Sequence, residues 1–593
     1  MNLKNILSKT DFKVGSDCPT KLYFRKMNYS SSKENNEYLE YLAEGGYAVG
    51  KMATLYFEEG IRIDNSTGVE QAIKQTQVEL QKGSCILFEA AFKSGNKLGV
   101  IDILIKEKGC IQLIEVKSKG YNPAKNVESQ WKELIPDIAF QKIIVEELYP
   151  NHKIECYVLA PDKSKSTSIE GLNSMFKLID FKTKNGFNFF DIVYEGSKSK
   201  LLEDQLLTKV SVDDAINKKI QGLRQDLEKL EKSISPEIKK IKTKISKKCF
   251  DCEYEHSGKK ECWAHMPTSK TALEDLYHIG TIKITKTPLV NQLIEEKKSS
   301  IFDVPLEALK GKRGERQLLQ IEHTKSNTEW FGPELSGTIN SWKYPLHFID
   351  FETSTSALPF HKGMKPYEMS AFQWSCHTIP YEGAEPLHTE WLNLEPTFPA
   401  FKFAESLMAQ IGTTGTTLMW SSHENTTLRN IYKQMDKYKY NNPALREWLE
   451  IIVKFNDKDS GALVDMNELC KEQYFHPYMK GRTSIKWTLP AVLKSNKSKR
   501  TIDWLKNFST SINLLSLDKE NYIEDPYKNL PSIDILEHAE TVNEGTGAMR
   551  AYEDMLFGKA KEDKTLKAEY EIALRNYCKL DTLAMLIIWE HWK

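Results

Sequence analysis

The chain has 593 residues, 40% hydrophobic and 28% charged, and its 82 Lys and Arg balance its 82 Asp and Glu. That length suits about three to four domains. No apolar run reaches the roughly 18 residues of a membrane-spanning helix, and Met1 to Thr10 lack the apolar core of a secretory signal, so no membrane partner and a cytoplasmic location are expected. A formal net charge of zero removes any global electrostatic case for nucleic acid and leaves only a local one.

Along the chain, residues 86–92, 98–105 and 111–117 read as three consecutive strands separated by Gly-, Asn- and Lys-rich turns. Residues 138–148 carry helical apolar spacing and 154–159 form a further strand, which makes this a mixed α/β region. Asp102 on the second strand and Glu115-x-Lys117 on the third place two carboxylates and a lysine on neighbouring strands, with Glu115 and Lys117 on one face. Two carboxylates can hold one or two metal ions while a lysine orients or activates water. Glu89, one strand earlier, is a further candidate ligand.

Residues 201–247 read as a long amphipathic helix with Ile220, Leu223, Leu227 and Leu230 on one stripe, broken near Pro236. It packs on its own domain or offers a coiled-coil surface to a protein partner. Cys249, Cys252 and Cys262 follow as Cys-x2-Cys-x9-Cys, and Cys18 stands alone near the start. The other six cysteines (Cys85, Cys110, Cys156, Cys376, Cys470, Cys578) read as small buried hydrophobes, because a cytoplasmic chain does not favour disulfides. Residues 271–340 read as a helical connector.

The second α/β region runs over 341–593. The apolar strand Leu346, Phe348, Phe351 puts Asp350 and Glu352 on one face, and Tyr577 and Asp581, at i and i+4, share a helix face. Clustered carboxylates repel one another and make sense together around a divalent cation that prefers oxygen.

Residues 1–270, through Gly99-Val-Ile-Asp102, Glu115-x-Lys117 and Gln141 in Pro-Asp-Ile-Ala-Phe-Gln, resemble the RecB-like branch of the PD-(D/E)XK nucleases. The resemblance implies that Asp102 and Glu115 hold Mg2+ or Mn2+, that Lys117 assists the water and that Gln141 helps place the site against DNA. Many relatives carry a histidine in the first helix; Val49 to Leu55 contains none. One cysteine before this core and three after it resemble the iron–sulfur-stapled members, including CRISPR adaptation nucleases. That implies a 4Fe–4S cluster on Cys18, Cys249, Cys252 and Cys262 clamping the domain. Structural zinc is the alternative, with His256 or His265 able to replace a thiol.

Asp350-x-Glu352 and Tyr577-x3-Asp581 resemble the tyrosine subtype of the DEDD exonucleases, which have a ribonuclease-H-like (DnaQ-type) fold. The resemblance implies a 3′–5′ exonuclease in which four acids hold two metals and the tyrosine orients water. The middle acid matches best at Glu424, in Met-Trp-Ser-Ser-His-Glu, where the family has Asp; Asp465 is the runner-up. The stretch from Tyr344 to Thr582 also resembles an uncharacterised bacterial domain family, through Asp350-Phe-Glu-Thr, Gln473-Tyr-Phe-His-Pro, Thr483-Ser-Ile-Lys486 and Tyr577-Cys-x2-Asp-Thr. Lys486 is either a phosphate contact or a surface lysine. The expectation is a two-domain metal-dependent nuclease acting on DNA, with RNA open, in prokaryotic DNA repair or antiphage defence. The rivals are a chain whose N-terminal domain only binds nucleic acid, and a non-catalytic scaffold.

Overall fold

Alternating apolar residues build the first sheet. The computed structural model describes residues 3–32, 37–184, 187–284, 286–456, 461–496, 498–531 and 545–593. Helices α1 (Lys9–Asp17) and α2 (Pro19–Lys26) precede strands β1 (Cys85–Ser94), β2 (Lys97–Glu107) and β3 (Cys110–Val116). Helix α3 (Ile135–Leu148) then leads to β4 (Lys153–Pro161), and β5 (Leu207–Ser211) precedes helix α4 (Ile220–Ile234). β1, β2 and β3 form an antiparallel meander; β4 lies parallel to β3 and β5 antiparallel to β4. Short strands Ile61–Arg62, beside β1, and Leu7–Ser8, beside β2, complete seven strands.

Each face of this sheet buries a core. Leu87, Leu104 and Leu113 pack with Ile138 and Ile143 of α3, while Phe88, Ile103 and Ile114 pack with Val49, Met52 and Ala53. Gly99 lets α3 approach β2: a Cβ there would meet Ile144 Cδ1 at 3.2 Å.

Residues 201–247 are not one long helix. They hold a short helix (Lys198–Asp204), strand β5, a second short helix (Asp213–Asn217) and then α4. Thr208, Val210 and their neighbours pair with β4, so β-branched residues and a vacant sheet edge override the helical spacing. The stripe packs on its own domain, one of the two uses expected of it: Leu227, Leu230 and Ile234 are buried in the domain's own core.

The C-terminal strands are β6 (Leu346–Ser354), β7 (Ser370–Ile379), β8 (Leu387–Leu392), β9 (Thr416–Met419) and β10 (Leu463–Asp465). They lie in the order β8-β7-β6-β9-β10; β7 is antiparallel to β6 and β8, and β6, β9 and β10 are mutually parallel. Helices α5 (His423–Lys437), α6 (Met466–Gln473), α7 (Ile485–Ser495) and the long α8 (Lys564–Trp592) surround it. Period two sorts β6 between two cores: Leu346 and Phe348 pack with Leu580, Leu583 and Trp589 of α8, while Ile349 and Phe351 pack with Phe403 and with Leu428 of α5.

The chain divides into two units, Met1–Ile245 with Asp251–Trp263 and Thr355–Glu368, and Ser246–Phe250 with Ala264–Ser354 and Met369–Lys593. Residues 271–340 thus fold as part of the second unit. Among the described residues no helix is long and apolar enough to cross a membrane.

Candidate metal centres

The even-numbered residues of β6 face α8, which is why Asp350 and Glu352 meet the helix carrying Tyr577 and Asp581. Ligand atoms of Asp350, Glu352 and Cys578 lie within 4.8 Å of one another, the one such group of three or more metal-ligating side chains among the described residues. The pairing of β6 with β7 shifts register between Glu352 and Thr353, ending the regular ladder at the acids.

Glu424 comes from the other layer. β9 ends beside β6, and Ser421, in the left-handed region at φ 76°, turns the chain into α5, whose second residue is Glu424. Asp465 holds that turn: its Oδ1 accepts from Ser421 N at 2.9 Å and from Asn467 N at 2.8 Å, capping α6. The runner-up acid is therefore a clamp, and Glu424 supplies the buried carboxylate. Glu424 Oε2 is sequestered without a hydrogen-bond partner, a position that a proton or a cation would satisfy.

The four acids act on one another. Burial, then the charges of its fellow acids, pushes Asp350, Glu352 and Glu424 well above the usual carboxylate range. Burial pushes Asp581 up to about 6, against the lowering effects of the Tyr527 hydroxyl and the Lys486 ammonium. Such a cluster is costly when ionised and empty, and carboxylate oxygens are the donors that Mg2+ and Mn2+ prefer.

Three neighbours that spacing alone does not assign to the site surround these acids. Lys486 Nζ, on the first turn of α7, donates to Tyr577 Oη at 3.1 Å and sits 5.1 Å and 5.2 Å from the ring centres of Tyr577 and Tyr527. It lies half-buried beside Tyr577 rather than on the open surface. The Tyr527 hydroxyl, from a 3-10 turn 54 residues before Asp581, donates to Asp581 Oδ1. Cys578, expected as a buried hydrophobe, donates its thiol to Asp350 Oδ2 at 3.3 Å. Burial, then the three nearby acids, pushes the Tyr577 phenol well above its ordinary value, so it stays protonated.

The N-terminal candidates also converge. The β1–β2 ladder skips Glu89, which adopts φ 58°, and the β2–β3 ladder begins at Ile103 and Ile114. Glu89, Asp102 and Glu115 therefore stand level across three strands beside a bulge. Glu115 is 1% exposed. Its Oε1 accepts from Lys117 Nζ and Lys9 Nζ, both at 2.7 Å, and its Oε2 accepts from Gln141 Nε2 at 3.0 Å. Burial would raise this carboxyl, but Lys9 and Lys117 hold it at about 2. Asp102 Oδ2 accepts from Val116 N at 2.7 Å, and burial followed by the Glu115 charge pushes Asp102 up to about 7. Nothing local in the sequence marks Lys9 as part of this centre.

The segment carrying Cys252 and Cys262 packs on α2, which begins directly after Cys18. Thr20 Oγ1 donates to Ile241 O at 2.7 Å, Lys21 pairs with Glu253 at 2.6 Å, and Tyr29 Oη donates to Glu261 Oε2 at 3.0 Å. Gly258 permits this packing, since a Cβ there would lie 2.9 Å from Phe24 Cε2. Cys249 ends a 3-10 turn, where Ser246 N donates to its sulfur at 3.5 Å.

A family model described as "Domain of unknown function (DUF2779)" matches residues 347–484. The match takes in Asp350, Glu352 and Glu424 and ends before Lys486, Tyr577 and Asp581. No curated protein and no solved structure matches the chain.

Proposed function

We propose that the chain is a metal-dependent nuclease with two centres that hydrolyse phosphodiester bonds, DNA being the favoured substrate and the C-terminal centre a 3′–5′ exonuclease. The observation that carries this reading is the meeting of Asp350 and Glu352 with Cys578 of α8, beside Tyr577 and Lys486, with Glu424 and Asp581 near enough for their charges to act on Glu352. The sheet order supports a ribonuclease-H-like fold: the first three strands run antiparallel and the last two lie parallel beyond the first. A three-strand meander, a crossover helix and a parallel fourth strand support a PD-(D/E)XK core in the N-terminal unit.

Asp350, Glu352, Glu424 and Asp581 would hold Mg2+ or Mn2+, which would supply Lewis acidity to the attacking water and the leaving oxygen. The chain's own groups do the rest. The Tyr577 hydroxyl, fixed by Lys486, orients water. Lys486 meets the negative charge of the scissile phosphate, and Tyr527 keeps Asp581 in its rotamer. In the N-terminal centre Asp102, Glu115 and Glu89 are the metal-binding acids, Lys117 is the water-activating cation, and Gln141 positions Glu115. Cys18, Cys249, Cys252 and Cys262 would hold a 4Fe–4S cluster or a zinc ion.

A second reading makes the N-terminal unit a nucleic-acid platform; Lys9 on Glu115, and the lack of histidine in Val49–Leu55, favour it. End-labelled single- and double-stranded DNA and RNA, digested with Mn2+ or Mg2+ by the parent, Asp350→Ala and Lys117→Ala, separate the readings. Two active centres predict that each change removes a different product. The platform reading predicts that Lys117→Ala changes nothing. Tight binding without cation-dependent cleavage by the parent would leave only a scaffold.

A further inference from the structure

The N-terminal centre holds one more cation than its motif requires. Lys9 opens α1 immediately after Ser8, and Ser8 is fixed by a capping box with Asp11. Asp11 is in turn held by Lys26 Nζ at 2.7 Å and Arg25 Nε at 3.0 Å. Strand Leu7–Ser8 pairs with Lys97 and Leu98 at the start of β2, and Phe12 stacks on Phe140 of α3 at 5.3 Å. The backbone of Lys9 is thus anchored on three sides, and its side chain is aimed at the acids.

Its ammonium shares Glu115 Oε1 with Lys117, both at 2.7 Å, while Gln141 takes Oε2. Both oxygens of Glu115 are already engaged before any metal arrives. The acids Glu89, Asp102 and Glu115 face three cations, Lys9, Lys117 and Arg62. Asp137 has a separate counter-charge in Lys13, 3.8 Å away. With all three carboxylates ionised, as binding a cation requires, the set of three acids and three cations is neutral before the cation's own charge is counted. One divalent cation with one phosphodiester leaves a single excess positive charge. A second divalent cation would leave three, gathered around the buried Glu115 carboxylate, where like charges repel.

We propose that Lys9 is a built-in cation that takes the place of a second metal, so that the N-terminal centre binds one divalent ion where removal of the Lys9 charge would admit two. This rests on the nuclease reading of that centre, with Lys9 as a positioning and charge-compensating residue beside Lys117.

The test uses the full chain carrying Asp350→Ala and Glu352→Ala, so that the C-terminal centre no longer reports. Mn2+ is titrated and followed by calorimetry and by electron paramagnetic resonance, which separates isolated Mn2+ from a coupled pair. The parent of this series is expected to bind one Mn2+, lost on Asp102→Ala. Lys9→Met and Lys9→Gln are expected to bind two with a pair-broadened spectrum, and Lys9→Arg, which keeps the charge, is expected to bind one. Melting curves select whichever neutral variant is folded. One isolated ion in both the parent and the neutral variants overturns the role of Lys9 alone. A parent that takes up no Mn2+ sensitive to Asp102→Ala overturns the nuclease reading of the centre and this inference with it.

Discussion

Asp581 is the side chain through which the C-terminal cluster can be read by pH. Its carboxyl is raised to about 6 by burial, against about 3.9 in an unfolded chain. The folded state therefore binds the proton more tightly, and this contribution to stability is present below about pH 4 and lost as the pH rises through about 6. In chelator, Asp581→Asn is expected to melt higher than the parent above pH 6 and no higher below pH 4, with Mg2+ removing the gain; a pH series of melting curves checks this. Lys486 and Tyr577 act on the reaction rather than on the fold. Lys486→Met and Tyr577→Phe are each expected to slow cleavage by roughly 10²-fold, measured as single-turnover rates at saturating Mn2+. The legible residues were those paired within one element, Asp350 with Glu352 and Tyr577 with Asp581. Glu424 was legible from its place at a helix start. Tyr527 and Lys9 were not, because each reaches its carboxylate from an element far away in sequence, and no spacing rule spans that separation.

At the scale of elements, alternation in β6 decides the architecture. One face gives Leu346, Phe348 and the acids to α8; the other gives Ile349 and Phe351 to the opposite core. Polar contacts fix α8 in register: Gln373 Nε2 donates to Leu574 O at 2.9 Å, and the Thr582 hydroxyl lies 2.9 Å from that of Ser375 and 2.8 Å from His377 Nδ1. Burial, then the neighbouring His388 and Lys579, keeps His377 far below its ordinary value, so this support stays neutral at physiological pH. Asp465 does the corresponding work for Glu424. Asp465→Ala is expected to cost about 1–2 kcal/mol, as for a lost helix cap, in urea unfolding at pH 7, while Asp465→Asn retains most of it. Neither is expected to lower the Mn2+ stoichiometry, which a metal ligand would. Helix periodicity misled only over 201–247. There the lysines and leucines recur at helical spacing, yet the edge of the first sheet recruits Leu207–Ser211 as a strand, and α4 turns its stripe inward.

At the scale of the whole molecule, two units each carry a sheet with a core on both faces and a cluster of acids met by lysine. Linear reading placed the two α/β regions. It had no means of assigning Thr355–Glu368 to the first unit or Ser246–Phe250 to the second, because composition does not shift at those points. If the cysteines hold an iron–sulfur cluster, anaerobically prepared protein is expected to show thiolate-to-iron absorbance in the visible range. Cys252→Ala is expected to lose that absorbance and to lower the melting of the N-terminal unit while leaving the Asp350-dependent cleavage in place. Stoichiometric zinc without colour would select the other metal. The central claim is that carboxylates gathered by β6, α5 and α8 cut nucleic acid from its 3′ end. Digestion of 5′-labelled single-stranded DNA with Mn2+, comparing the parent with Asp350→Ala in a Lys117→Ala background, tests it most directly. The account predicts a ladder of progressively shortened products that vanishes with Asp350→Ala, by at least about 10³-fold in rate; an identical ladder with and without Asp350, or none in the parent, would contradict it.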